Sequence, residues 1–432
     1  MAHGESLTLD DSNWELVTPK AKAGKEAVWY RQTIEVPKTL HGYDLTGAQI
    51  DFRFRAYANG PMPEILYFNG RRVALGDDLE QVQLFGDAKP GDKVVVAVKL
   101  LPTVDVKSFD HVEMKITFAA NRPSPKDLRT EFVSAQSTLP ADSNDGRSAL
   151  SKALSEVDLH ALEQNDQAKF DASLRQAQTT LSVLRPVLQQ STFHLVGNSH
   201  IDAAWLWPWT ETVDAVKRTF GTAVQLMNEY PDYTYTQSAA VYSQWIADKY
   251  PEMNNQIKQR IQEGRWELVG GMWLEPDLNM PDGESLVRQL LVGQSTFKKL
   301  YGKTTRIGWN PDSFGYNWQL PQIYKRSGVD YFVTQKLTWN DTNPLPLKLF
   351  WWESPDGSKV LTYFPHDYNN DNLNPIRLSH DLATARRFSP GMNEMLDLYG
   401  VGDHGGGPTR MMLDEGDHWM QPDKVMQHEE YG

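Results

Sequence analysis

From Thr192 onward, short apolar runs alternate with amphipathic stretches, and this alternation constrains the fold more tightly than anything else in the chain. Candidate strands begin near Phe193, Tyr233, Trp266, Arg306, Tyr331, Val360 and Leu396. Helical periodicity fits between several of them, as over 213–229 and 253–263. Strands separated by helices run parallel, because each crossover returns the chain to the same end of the sheet. Such a sheet is covered by helices on both faces. One crossover departs from the pattern: Lys348 to Glu353, Pro355-Asp356-Gly357 and Lys359 to Tyr363 read as an inserted hairpin. The expected fold class is α/β, with an irregular seven-stranded (β/α) barrel over 191–432.

The earlier part reads differently. Ile50-Asp51-Phe52-Arg53-Phe54-Arg55 alternates strictly, as a half-buried strand does. Asn69-Gly70 between Ile65-Leu66-Tyr67-Phe68 and Val73-Ala74-Leu75 is a hairpin signal. Short strands continue through Val94 to Val98 and His111 to Phe118. An antiparallel, jelly-roll-like β-sandwich over 1–122 is expected. Leu150, Leu154, Val157 and Ala161, then Leu174, Leu181, Leu184 and Leu188, recur at helical spacing. They predict a helical linker over 123–190, broken by Pro140 to Gly146. A length of 432 residues agrees with more than one domain.

Composition narrows the partners. The net charge is −13, which disfavours nucleic acid and anionic membranes, since phosphate binding needs clustered Lys and Arg. Neutral sugars are compatible with it, and the 14 tryptophans offer faces for stacking on them. The chain has no cysteine, so disulfides, zinc-thiolate sites and cysteine nucleophiles are excluded. No run approaches the roughly 20 apolar residues of a membrane span. The opening residues lack the basic and apolar regions of a signal peptide, which fits a cytosolic start and a mature exported chain equally. An oligomer is left open.

The polar chemistry collects just beyond the C-terminal ends of the candidate strands. His200, Asp202 and Trp205 follow the first. Trp273, Glu275 and Asp277 follow the third, and Asp312 the fourth. Lys336, Trp339 and Asn340 follow the fifth, His366, Asp367 and Tyr368 the sixth, Asp403 and His404 the seventh. In α/β barrels the loops at this end build the active site. His200 and Asp202, two apart, turn toward one ion when the loop is extended, and Asp312 arrives from a distant segment. One nitrogen and two carboxylates suit a divalent cation such as zinc.

These residues lie in blocks that resemble a known family. Phe193-His194-Leu195-Val196-Gly197-Asn198-Ser199-His200-Ile201-Asp202-Ala203-Ala204-Trp205-Leu206-Trp207-Pro208 is similar to the first signature of glycoside hydrolase family 38, the retaining α-mannosidases. Trp309 to Gly315 resembles that family's nucleophile motif. Trp273 to Asp277 with Gly283 to Gln289, Lys336 to Asn340, and Gly402 to Pro408 follow in family order. The resemblance implies that His200, Asp202 and Asp312 hold one zinc ion and that Asp312 is also the nucleophile. It implies Asp403 as the acid–base, with Glu275 and Asp277 as fallbacks, and a retaining pair needs roughly 5–5.5 Å between its carboxyl groups. It places Trp205, Phe314, Lys336, Tyr368 and His404 against the sugar. The implied substrate is a mannose-containing oligosaccharide or glycan. Gly405-Gly406-Gly407 is read as a close backbone approach to the sugar rather than a phosphate loop.

The chain departs from the family at its C-terminal side. Relatives continue into a helical bundle and β-domains and supply a fourth zinc ligand, a histidine, from there. No such His-Asp motif follows here, so a truncated gene product or a fragment is expected, with His404 as a substitute for that ligand and His418 and His428 read as surface histidines rather than ligands. Two other readings stand beside the mannosidase. A metal-dependent polysaccharide deacetylase predicts a His-x-x-x-His pair, which the sequence lacks. A non-catalytic glycan-binding remnant predicts sugar binding without turnover.

Overall fold

The computed structural model describes residues 3–77, 79–118, 122–140, 142–343, 345–368, 373–425 and 428–431. The chain divides into two compact units: residues 1–124 with 156–176, and residues 125–155 with 177–432. The helical stretch before Thr192 is thus shared between them.

The first unit contains β1 (Val28–Glu35), β2 (Thr39–Leu40), β3 (Tyr43–Asp44), β4 (Gln49–Tyr57), β5 (Pro63–Phe68), β6 (Arg71–Asp77), β7 (Val82–Phe85), β8 (Lys93–Leu100) and β9 (Ser108–Thr117). They pair antiparallel in the orders β1-β8-β5-β6 and β7-β4-β9, with β2-β3 as a small hairpin. The alternation of β4 is realised: Phe52, Phe54 and Ala56 are buried while Arg53 and Arg55 are half-buried on the other face. They share one apolar core with Leu66 of β5, Val94, Val96 and Val98 of β8, and Phe109 of β9. β5 and β6 join through Asn69-Gly70, both at positive φ (49° and 77°), the backbone of a tight hairpin turn.

The second unit carries helices α1 (Pro125–Thr138), α2 (Asn144–Glu156), α5 (Arg185–Leu188), α6 (Trp209–Glu229), α7 (Ala240–Lys249), α8 (Pro251–Gln262), α9 (Gly283–Tyr301), α10 (Leu320–Arg326), α11 (Pro375–Phe388) and α12 (Arg410–Trp419). Two helices before α5, α3 (Leu159–Glu163) and α4 (Gln167–Leu181), begin in the first unit. The strands are β10 (Thr192–Asn198), β11 (Tyr235–Gln237), β12 (Trp266–Leu268), β13 (Ile307–Trp309), β14 (Tyr331–Val333), β15 (Leu349–Glu353), β16 (Lys359–Tyr363), β17 (Glu394–Tyr399) and β18 (His428–Tyr431). The architecture is α/β. All strands anticipated from the alternation are present and pair parallel, and β15–β16 is the inserted antiparallel hairpin.

The parallel strands form two ladders, β12-β11-β10-β17 and β13-β14-β16-β15, rather than one continuous hydrogen-bonded ring. The reason at one seam is β15, which occupies the free edge of β16. Contact from β16 to β17 then passes through the Tyr363 hydroxyl, which donates to Leu396 O at 2.8 Å and accepts from Leu396 N at 3.1 Å. At the other seam Gly270 N donates to Ile307 O at 2.8 Å. β18 pairs with β10 along Thr192 to Leu195, and β11 takes over the same edge at Gly197 and Asn198.

The parallel strands bury side chains on both faces. On one, Phe193 and Leu195 of β10 and Trp266 of β12 pack on Phe220 of α6, Ile246 of α7 and Ile257 of α8. Phe332 and Val360 pack on Leu290 of α9 and Tyr324 of α10. On the other, Val196, Val269, Trp309, Val333 and Leu398, drawn from both ladders, form one cluster with Tyr368. That cluster is the floor beneath the strand ends. Among the described residues no helix is long and apolar enough to cross a membrane.

Candidate active site

Backbone hydrogen bonds beyond the strands fix the loops that carry the chemistry. After β10, Ile201 forms an isolated bridge with His404, and Asp202 N donates to Asp403 O at 2.9 Å. The loops after β10 and β17 are thereby zipped together. After β13, Pro311 O accepts from Gln335 N and Lys336 N at 3.2 and 2.9 Å. The segment bearing Asp312 is thus tied to the one bearing Lys336.

The result is a tight cluster. His200, Asp202 and Asp312 each offer a ligand atom within 4.8 Å of the others. His200 Nε2 lies 3.5 Å from Asp202 Oδ1 and 3.4 Å from Asp312 Oδ2. Tetrahedral ligands about 2.1 Å from a zinc ion stand about 3.4 Å apart, so this spacing fits a shared cation. The His200 ring is buried, and neither of its nitrogens makes a well-formed hydrogen bond among the described residues. Burial works against charge on His200, but Glu275, Asp202 and Asp312 outweigh it and raise its pKa well above the usual imidazole value. Burial likewise opposes ionisation of Asp312, yet His200, Lys336 and the Tyr368 hydroxyl bring its pKa down to about 2. The site attracts positive charge and keeps Asp312 ionised.

The two oxygens of Asp312 face different partners. Oδ2 faces His200, while Oδ1 forms an ion pair with Lys336. Lys336 is buried and donates to the Tyr368 hydroxyl at 3.1 Å. Its Nζ lies 3.6 Å from the Trp339 ring centre and 4.5 Å from that of Phe314. Phe314 is 78% exposed, Trp339 66% and Trp205 64%, so these rings are surface platforms rather than core. Tyr368 is buried, edge-on to His200 at 5.0 Å, and it feels the charges of Asp312 and Asp403. It therefore belongs to the floor of the site rather than its open face.

Other anticipated residues fall elsewhere. The His404 ring is tilted against Trp207 with ring centres 4.2 Å apart, its Nε2 pairs with Glu211 at 3.1 Å, and it is not part of the ligand cluster. His418 pairs with Asp127 at 2.7 Å, in contact with α1. Asp277 Oδ1 accepts from Asn279 N and Met280 N at 2.7 and 2.8 Å, staples its own loop, and so orders backbone. His366 pairs with Asp381 at 2.9 Å, and Asp367 caps Tyr368 N at 2.8 Å. The Gly405 to Gly407 backbone packs against α6, with Gly406 N donating to Thr219 Oγ1 at 2.9 Å, so its close approach is to the chain itself. Glu275 Oε2 faces His200 Nδ1 at 3.4 Å, and Glu275 Oε1 accepts from the Ser238 hydroxyl. Ser238 was not anticipated. The only signal was positional: it is the first residue past β11, a strand end to which the sequence reading assigned no chemistry.

Comparison with known proteins gives a family match. Residues 190–431 match the family profile described as the glycosyl hydrolases family 38 N-terminal domain. Alpha-mannosidase G of Dictyostelium discoideum is 39% identical over 253 residues, 58% of this chain and 23% of that protein. Alpha-mannosidase 2C1 of Homo sapiens is 41% identical over 225 residues, 52% of this chain and 22% of that protein. The alpha-mannosidase of Saccharomyces cerevisiae is 41% identical over 223 residues, 50% and 20% respectively. The match thus spans about a fifth of the length of these curated relatives.

Proposed function

The chain belongs to glycosyl hydrolase family 38, and from that membership we propose that it is the catalytic part of a zinc-dependent retaining α-mannosidase acting on mannose-containing oligosaccharides. The observation that carries this reading is the Asp312 carboxylate, one oxygen against His200 and the other paired with Lys336. His200, Asp202 and Asp312 would hold the zinc ion, which when bound would polarise the vicinal hydroxyls of the sugar. The Asp312 carboxylate attacks the anomeric carbon and carries the glycosyl intermediate. Lys336 pairs with its Oδ1, orients the carboxylate and keeps it ionised. Asp403 protonates the leaving oxygen and then takes a proton from the incoming water. The exposed rings of Trp205 and Phe314 flank the sugar, and Trp339 widens the platform. His404, tilted against Trp207, lines the sugar site beside that ring. The two parallel ladders are the arcs of one irregular seven-stranded (β/α) barrel, supported by the apolar cluster they share. The antiparallel sheets of the first unit are read as a β-sandwich.

An aryl α-mannoside supplied to the chain, with and without chelator, tests this. Release should stop with chelator, return with added Zn2+, and fall more than about a thousandfold in Asp312→Asn. No release, or release indifferent to both chelator and Asp312→Asn, overturns the reading.

A further inference from the structure

Glu275 has no part in the scheme above, yet it addresses the side of His200 that the ligand cluster leaves free. Asp202 and Asp312 face Nε2, whereas Glu275 Oε2 faces Nδ1 at 3.4 Å. Its own placement is constrained. Ser238 donates to Oε1, which leaves Oε2 for the imidazole. The preceding residues are held by Gln289 of α9: Trp273 N donates to Gln289 O at 2.9 Å and Leu274 N to Gln289 Oε1 at 3.0 Å. The His200 side is held as well, because the Tyr242 hydroxyl donates to Ile201 O at 2.6 Å.

An imidazole that ligates a cation is neutral and carries one proton. On Nε2 it would point at two carboxylates and block a cation there; on Nδ1 it frees the Nε2 lone pair. A carboxylate oxygen facing a ring nitrogen is matched by a hydrogen on that nitrogen, so the position of Glu275 Oε2 suits the Nδ1–H form. We propose that Glu275, oriented by Ser238, is a positioning residue that accepts the Nδ1 proton of His200 and so aims the Nε2 lone pair between Asp202 and Asp312. This rests on the reading of that cluster as a cation site. Acceptors behind a ligating histidine are worth about 10–100-fold in metal affinity.

The test uses the full chain and Zn2+ alone, titrated by calorimetry against a competing chelator, so that it does not depend on turnover. His200→Ala should abolish the site. Glu275→Ala should weaken binding about 10–100-fold. Glu275→Gln, whose amide oxygen still accepts the Nδ1 proton, should recover part of the loss, and Ser238→Ala should weaken binding about threefold to tenfold. In 15N spectra of the imidazole, the Zn2+-loaded wild type should show a hydrogen-bonded Nδ1–H that Glu275→Ala lacks. A general structural role would move neither the graded rescue nor that signal. Metal-free melting temperatures identify a variant that fails to fold, in which case Glu275→Gln and Ser238→Ala decide. If His200→Ala binds Zn2+ like wild type, the cation reading itself falls. If His200→Ala loses the site while Glu275→Gln, Ser238→Ala and any folded Glu275→Ala bind within about threefold of wild type, the role of Glu275 is overturned and the cation reading stands.

Discussion

Replacing Glu131 with Gln should remove a pH-dependent weakness of the second unit. Glu131 sits fully buried in α1; its Oε1 accepts from Val425 N at 2.9 Å, and its Oε2 has no hydrogen-bond partner among the described residues. One accepted bond is poor compensation for a buried carboxylate. Burial accordingly pushes its pKa up to about 7, against the Val425 amide and Lys424, which favour the charge. Below pH 4.5 the group is protonated folded and unfolded, and its stability contribution is fully present. Between about pH 4.5 and 7 the unfolded chain releases the proton and the folded chain retains it, so stability falls as pH rises. Above about 7 the loss is complete, and the gap amounts to about 3 kcal/mol at about 1.4 kcal/mol per pH unit. A glutamine keeps the acceptor for Val425 N and never ionises. Urea unfolding at pH 5 and pH 8 should show Glu131→Gln close to wild type at pH 5 and about 3 kcal/mol more stable at pH 8. Equal stabilities at both values would refute the argument, as would a variant less stable at pH 8.

Three further outcomes are expected. Gly293→Ala in α9 should destabilise by about 1–3 kcal/mol despite the gain in helix propensity, because the new Cβ would lie 2.3 Å from Gly271 O and 2.4 Å from the Met272 carbonyl carbon; thermal unfolding measures it. Arg377→Ala removes the partner of buried Asp397, whose two oxygens it contacts at 2.9 Å, and should cost about 3–5 kcal/mol, with Asp397→Asn added in the same chain restoring part of it on denaturant unfolding. Trp339→Ala should raise KM for an aryl α-mannoside about threefold to fivefold with a smaller change in kcat, since it removes the ring over Lys336 at 3.6 Å; unchanged KM in steady-state kinetics counts against the platform.

The elements of the second unit were legible because each is a local pattern. A run such as Phe193 to Val196 turns Phe193 and Leu195 inward whatever lies next to it in space. His200, Asp202 and Asp312 were legible too, since a loop leaving a parallel strand exposes its first residues at one end of the sheet. The partition of Glu275 was not. A carboxylate in Trp-Leu-Glu-Pro-Asp can serve as acid, sugar contact or loop staple, and only the position of His200 Nδ1 and the Ser238 hydroxyl separates these. Tyr368 and His404 show the same limit. Both follow strand ends, yet one lies in the floor against His200 and the other on Trp207.

What the sequence alone determined, then, is the α/β alternation, the inserted hairpin, and which strand ends carry chemistry. Tertiary structure decided how the strands divide into ladders, because β15 competes for the edge of β16, and edge competition has no local signature. It decided as well which oxygen of Asp312 meets His200 and which meets Lys336. Periodicity specifies the face on which a side chain lies; the partner it meets across about 110 residues, as between His200 and Asp312, is set by how the loops are tied down once the cores have packed.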